Sequence, residues 1–266
     1  MSDYALAISE VEVQRYRLMA EFAKSEEGGA WAAAGITAGA VIADVGCGPA
    51  ATSVVMAETV GPSGRVIGVE RDPTSLQHAH QVVAASGMTN MELREGEATA
   101  TGIAPGSVDV AVMRHVLAHN GGREQDIVNH LATLLRPGGH VYLVDVDLTG
   151  MRARDADPDL SDIFEKYAEF HRQRGNDPLV GLQLDRFVHA AGLEVVQFGG
   201  AYTIIAMPPG LRPPPWIARD LMLAAGVVTQ GDIDRWGAAL ERMDARPDRP
   251  TMFATRFWAV GRRPEG

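Results

Sequence analysis

The sequence predicts an α/β protein built on a doubly wound, mostly parallel sheet with helices on both faces. Three observations carry that expectation. Strand-like and helix-like segments alternate from about residue 38 to residue 148. The strand-like segments are short, nearly continuous apolar runs, the pattern of strands buried on both faces. The first of them ends in a glycine turn, Gly46-Cys47-Gly48, that leads into a helix. Alternation of this kind points to βαβ units and therefore to parallel strands.

Each element follows in order. Residues 8–24 place Val11, Val13, Tyr16, Leu18, Met19 and Phe22 opposite a charged side, which predicts an amphipathic helix. Residues 40–46 read as a buried strand and 50–60 as a helix. Residues 64–70 are a second strand, and 73–87 a helix that ends at a glycine. Residues 90–97 and 108–116 read as the third and fourth strands. Residues 123–139 are expected as a helix stopped by Pro-Gly-Gly, and 140–148 as the fifth strand. Beyond these, 157–175 has helix punctuation: Asp157 can cap, Pro158 suits the first turn, and Gly175 follows a basic last turn. Residues 181–192 are helical, 193–207 and 251–262 are strands, and 216–245 are mostly helical. The expected organisation is one domain over 1–266. It has an N-terminal helical lid (1–30), a core (38–148), and two helical insertions (151–180 and 208–247) placed to form a substrate lid.

Composition narrows the function. Lys and Arg number 24 against 34 Asp and Glu, a formal net charge of −10. A chain this acidic is a poor partner for phosphate backbones, so no nucleic acid partner is expected. The single cysteine, Cys47, rules out an internal disulfide and a cysteine-ligated zinc site, and no metal is expected. Cys47 reads as a small buried filler between glycines. No apolar run reaches the roughly 18 residues of a membrane span. The acidic start is unlike a secretory signal, so a cytoplasmic location is expected.

Ligands of open parallel sheets sit at the carboxyl ends of the strands. The polar residues there are the Gly46–Gly48 turn, Glu70, Glu97, and the stretch Arg114–Asn120. Gly46 to Ala51 satisfies the dinucleotide pattern G-x-G-x-x-A, so an NAD(P)-dependent oxidoreductase is one reading. Two residues argue against a pyrophosphate. Asp44 sets a carboxylate at the strand tip, and Pro49 removes a backbone N–H from the helix start. The same Asp44 suits a ligand that carries an ammonium group. S-adenosylmethionine is such a ligand, with a ribose diol for Glu70 and an adenine amine for Glu97.

The segments "VIADVGCGPA", "VIGVERDP", "REGEATATGIAPGSVDVAVMRHVLAH" and "LLRPGGHVYLVDVD" together resemble the class I S-adenosylmethionine-dependent methyltransferases. The likeness is greatest to the branch that methylates small molecules, in quinone biosynthesis and natural-product tailoring. The resemblance covers roughly residues 38–148. It implies a seven-stranded sheet whose last strand is antiparallel. It places Asp44, Gly46 and Gly48 at the methionine end, Glu70 on the ribose, Arg71 beside the adenine, and Glu97 with Ala98 on the base. Arg114 and His115 fall on the methionine side. Glu97 departs from the family, where aspartate is commoner. Tyr16 is the candidate from the N-terminal helix, as part of a lid over the cofactor, with plain packing as its alternative.

Methyl transfer is an in-line displacement that needs the acceptor positioned against the methyl carbon. His119, just past the fourth strand, is the candidate general base, with a structural or substrate-shaping role as its alternative. Tyr167 and His171 share a face of the first insertion helix and are placed to line a pocket. The expected acceptor is a small, partly apolar molecule, and a homodimer is compatible with the chain. A protein that binds S-adenosylmethionine without transferring its methyl group is the remaining alternative.

Overall fold

The computed structural model describes residues 10–265; within its first helix, the side chains of residues 10–17, 19 and 22 lie outside the description. The lid expected over 1–30 is therefore described only from residue 10, and the Tyr16 side chain is not part of the account.

The parallel half of the sheet contains β1 (Val41–Val45), β2 (Arg65–Glu70), β3 (Met91–Glu95), β4 (Val108–Arg114) and β5 (Leu135–Asp145). They pair in the order β3-β2-β1-β4-β5, all parallel. Successive residues turn to opposite faces and both faces are covered. Ala43, Val45, Met113 and Leu143 join one core cluster with Ile127 and Leu131, while Ile42, Val112, Tyr142 and Val144 join another with Trp31 and Met56. The helices that supply these residues are α1 (Glu10–Ala33), α2 (Ala51–Val60) and α4 (Glu124–Leu134); α3 (Pro73–Ser86) packs beside β3. The chain order reverses between β1 and β4, so a crevice opens at their carboxyl ends.

The rest of the sheet is antiparallel. β8 (Thr251–Arg262) pairs with β5 on one side and along its whole length with β7 (Glu194–Ala206) on the other. This yields the seven strands expected. An eighth, the three-residue β6 (Arg152–Arg154), continues the edge of β5 along β8. It lies at the start of the first insertion, where no strand was expected.

The insertions contain α5 (Ile163–Gln173), α7 (Pro214–Ile217), α8 (Arg219–Ala224) and α9 (Gln230–Ala245); α6 (Leu184–Ala190) belongs to the core. Although far apart in sequence, the two insertions share one apolar cluster around Tyr167, Phe170, Met222 and the fully buried Trp236. Asp162 ties them together, accepting from Trp236 Nε1 at 3.0 Å and from Arg235 Nη2 at 2.8 Å.

Several boundaries differ from expectation. The helix expected over 123–139 stops at Leu134, and residues 135–139 already belong to β5. Pro137 has no N–H for a helical bond and pushes the preceding residue towards extended backbone, which moves the break upstream of the glycines. α1 runs on to Ala33 through Gly28 and Gly29, because burial of Ala30, Trp31 and Ala34 outweighs the roughly 1 kcal/mol that each glycine costs in a helix. The segment 157–175 splits into a 3-10 turn at Pro158–Leu160 and α5.

Candidate cofactor site

The turn after β1 is built from left-handed backbone. Gly46 has φ 76°, Gly48 φ 54° and Ala50 φ 60°. The Gly46 and Cys47 amides donate to Val69 O at 2.8 and 3.1 Å, so the turn is tied down to β2. Gly46 also faces Val116: a Cβ there would lie 2.5 Å from Val116 Cγ2. Glycine is required by conformation and by space together. Cys47 is buried against Ala50 and Ala79, and burial pushes its thiol pKa well up, so it is an inert filler as expected.

This turn forms one wall of a cleft at the β1–β4 crevice. Nine of the residues singled out in the sequence line it: Asp44, Gly46, Gly48, Glu70, Arg71, Glu97, Ala98, Arg114 and His115. The Glu70 carboxylate accepts from three backbone amides. Gly48 N donates to Oε2, and Arg71 N and Asp72 N to Oε1, each at 2.9 Å. The carboxylate is thus oriented before any ligand arrives, and Oε2 keeps one lone-pair site for a hydroxyl donor. Glu97 and Arg71 stand 4.0 Å apart as an ion pair at the far end of the cleft.

Asp44 is buried and accepts from Ser53 Oγ at 2.5 Å. Burial raises its pKa to about 6, opposed by the Ser53 bond and the Arg114 charge and reinforced by Glu70. Across the cleft, Arg114 ends β4. Its Nη2 donates to Glu27 at 2.8 Å, its Nη1 reaches Thr52 Oγ1 only at 3.4 Å, and its Nε is buried without a hydrogen-bond partner among the described residues. An acidic group and a basic group with spare donors therefore face one ligand space. That combination fits the ammonium and carboxylate of the methionine end of S-adenosylmethionine, while Glu70 fits its ribose diol. Residue 115, directly after Arg114, holds φ 56° on a non-glycine side chain, which turns the chain away at the strand end.

His119 does not line this cleft. It ends a 3-10 turn, Leu117–His119, and its half-buried ring lies 5.1 Å from the ring of His171. Burial, with help from His171 and His115, lowers its pKa to about 3. His171 is buried, its Nδ1 donates to Ala118 O at 3.0 Å, and Tyr167 packs edge-on against it. The expected shared face of Tyr167 and His171 is thus turned towards the 117–119 turn. Asn120 lines the cleft in place of His119.

Two buried acids were not singled out in the sequence. Asp145, at the end of β5, accepts from Val146 N at 2.9 Å and Ala118 N at 3.1 Å, and burial raises its pKa to about 7. Glu27 of α1 has no exposed side-chain surface and pairs with Arg114. Neighbouring Glu26 and Glu27 are alike in composition, and only the rotation of α1 against the sheet turns one of them inward. Among the described residues no cluster of metal-ligating side chains occurs.

The family model described as a methyltransferase domain matches residues 36–186. The chain belongs to the class I S-adenosylmethionine-dependent methyltransferases. It is 33% identical over 128 residues to an arsenite methyltransferase of Halobacterium salinarum, covering 47% of this chain and 32% of that protein. It is 30% identical over 107 residues to a demethylmenaquinone methyltransferase of Lactococcus lactis, covering 40% and 42%. The chain thus spans less than half the length of these relatives. Its fold matches that of a candidate methyltransferase of Bacillus halodurans with a TM-score of 0.60 at 14% identity, over 90% of this chain and 99% of that one. The cofactor of this methyltransferase is S-adenosylmethionine.

Replacing Gly46 with alanine is expected to distort the turn, both by the positive φ and by the contact with Val116. The expected readouts are a lower midpoint of thermal unfolding and at least tenfold weaker S-adenosylhomocysteine binding, the roughly tenfold step corresponding to about 1.4 kcal/mol.

Proposed function

We propose that this protein transfers the methyl group of S-adenosylmethionine to a small, partly apolar acceptor by in-line displacement. One observation carries the cofactor half of this reading: Asp44 and Arg114 face one cleft that Glu70 and Glu97 complete. The acidic walls and the missing N–H of Pro49 disfavour the pyrophosphate of a nicotinamide dinucleotide. The roles of Gly46 and Gly48 (close backbone approach), Arg71 and Ala98 (adenine), His115 (methionine end) and Tyr16 (lid) belong to the same proposal. The two insertions, packed as one unit, are the substrate lid.

The acceptor half is supported by apolar side chains in those insertions and by relatives named for small acceptors, arsenite and demethylmenaquinone. Arsenite itself is disfavoured for this chain. A soft, thiophilic acceptor calls for several thiolates, and the lone Cys47 is buried with its thiol protonated. The net charge of −10 speaks against nucleic acid. The same reading includes a cytoplasmic location, supported by the free buried cysteine and by the absence, among the described residues, of a helix long and apolar enough to cross a membrane. It also includes a homodimer, supported by the exposed Phe198, Tyr202 and Ile204 on β7, which pairs only with β8 among the described strands.

Thermal shift tests the cofactor half. S-adenosylhomocysteine should raise the unfolding temperature and NADH should not; the reverse would move the chain to the oxidoreductases. Methyl transfer to a panel of phenols, amines and acids tests the acceptor half, and cofactor binding with no turnover on any of them favours a non-methylating protein.

A second expectation concerns pH. The ligand ammonium needs Asp44 ionised, but the ligand-free carboxyl titrates near 6. Below that pH a proton must be displaced. S-adenosylhomocysteine should therefore bind about tenfold more weakly at pH 5 than at pH 7, with about one proton released on binding at pH 5, and Asp44→Asn should flatten the dependence. Calorimetry in two buffers of different ionisation enthalpy measures both.

A third concerns His119. As the proposed base, its imidazole is neutral but weakly basic while enclosed, so Leu117–His119 must carry it out of that enclosure towards the acceptor. His119→Ala should cut turnover by about a hundredfold, the usual scale for a general base, while cofactor affinity stays within twofold. Turnover near that of the unmutated enzyme assigns His119 to the wall it forms with His171.

A further inference from the structure

Glu27 stands outside the cofactor cleft, yet it pairs with Arg114, which lines it. Its fully buried carboxylate sits over three adjacent strands. Arg114 Nη2 of β4 donates to Oε1 at 2.8 Å, the Tyr142 hydroxyl of β5 donates to Oε2 at 2.6 Å, and Arg256 Nε of β8 lies 3.5 Å from Oε1. Trp31 Nε1, one turn along α1, reaches Oε2 at 3.4 Å.

A zwitterionic ligand poses a problem for the cleft. Asp44 and Arg114 line the same space, and an arginine with a flexible stem would neutralise Asp44 directly if left free. Each would then lose its vacant valence for the ligand. Among the described residues the ion pair of Arg114 is with Glu27 and not with Asp44. The guanidinium is a rigid planar fork, so fixing Nη2 fixes the direction of its other donors. Nη1 then keeps only a long contact with Thr52 and is the donor left for a ligand, while Nε is buried with no hydrogen-bond partner among the described residues.

We propose that Glu27 is a positioning residue for the cofactor's amino-acid carboxylate: by holding Arg114 away from Asp44, it keeps both charges available to the two ends of a zwitterion. Tyr142 and Arg256 hold Glu27 in turn, so that docking of α1 onto β4, β5 and β8 sets the geometry of the methionine end. This inference rests on the cofactor assignment above.

The test compares two ligands. S-adenosylhomocysteine carries the amino-acid ammonium and carboxylate; 5′-methylthioadenosine shares the adenosine and lacks both. Glu27→Gln keeps the shape and removes the charge. Calorimetry should show about a tenfold or greater loss of S-adenosylhomocysteine affinity, the scale of one charge-assisted hydrogen bond, with 5′-methylthioadenosine changed by less than twofold. Equal losses for both ligands would reduce Glu27 to a structural support and overturn the proposal, as would unchanged affinity for both. Tyr142→Phe is the companion variant should Glu27→Gln fail to fold. It frees Oε2 without touching a charge and should cause the same ligand-selective loss on a smaller scale; a loss shared by both ligands overturns the proposal again. If the unmutated protein binds 5′-methylthioadenosine and S-adenosylhomocysteine equally, the assignment of the methionine end fails before any variant is made, and this inference falls with it.

Discussion

The carboxyl edge of the sheet is organised around a positive charge removed from water. Arg114 ends a strand that is buried on both faces, and a lone guanidinium there would be costly. Glu27 neutralises it from one side, and the Asp44 carboxyl stands on the other. The neighbouring acids then fall into place by their own local partners. Asp44 is held by Ser53 from the first turn of α2, and Glu70 by the amides of Gly48, Arg71 and Asp72. The two buried acids of the cleft, Asp44 and Glu70, each have fixed donors of their own, so their arrangement does not rest on the ligand to assemble it.

A second constraint is conformational. The chain must leave β1 and β4 sharply enough to keep the crevice open. It does so with left-handed residues, at Gly46, Gly48 and Ala50 after β1 and at His115 after β4. Just beyond, Asp145 pins the 117–119 turn by accepting from Ala118 N. His171 takes the neighbouring carbonyl, Ala118 O. The insertion helix α5 is thereby joined to the strand end through one residue's two backbone groups. Helical packing in the insertions and the position of His119 are coupled through that contact, and the low pKa of His119 follows from the same enclosure.

Much of this was legible in the residues. The parallel core followed from apolar runs and glycine turns, which are local signals with periods of two and single-residue punctuation. The cleft members Asp44, Glu70, Glu97 and Arg114 were found because strand ends are readable and ligands of such sheets gather there. What misled was also local. The Pro-Gly-Gly after Leu135 looked like a helix stop, but Pro137 ends the helix earlier and the glycines enter β5. For His119, distance along the chain from β4 says nothing of direction: a 3-10 turn sets its ring beside His171, outside the lining of the cofactor cleft.

The sequence by itself determined the alternation of parallel strands and helices in the core, the turn chemistry at Gly46 and Gly48, and which acids and bases stand at the strand ends, because each depends on residues within a few positions of one another. Only the tertiary structure decided that Glu27 rather than Glu26 is buried, that it meets Arg114 from 87 residues away, and that two distant insertions share Trp236 as a common core. Those outcomes depend on how α1 is rotated against the sheet and on long loops closing over it. No local period or turn residue encodes the rotation of one packed element against another.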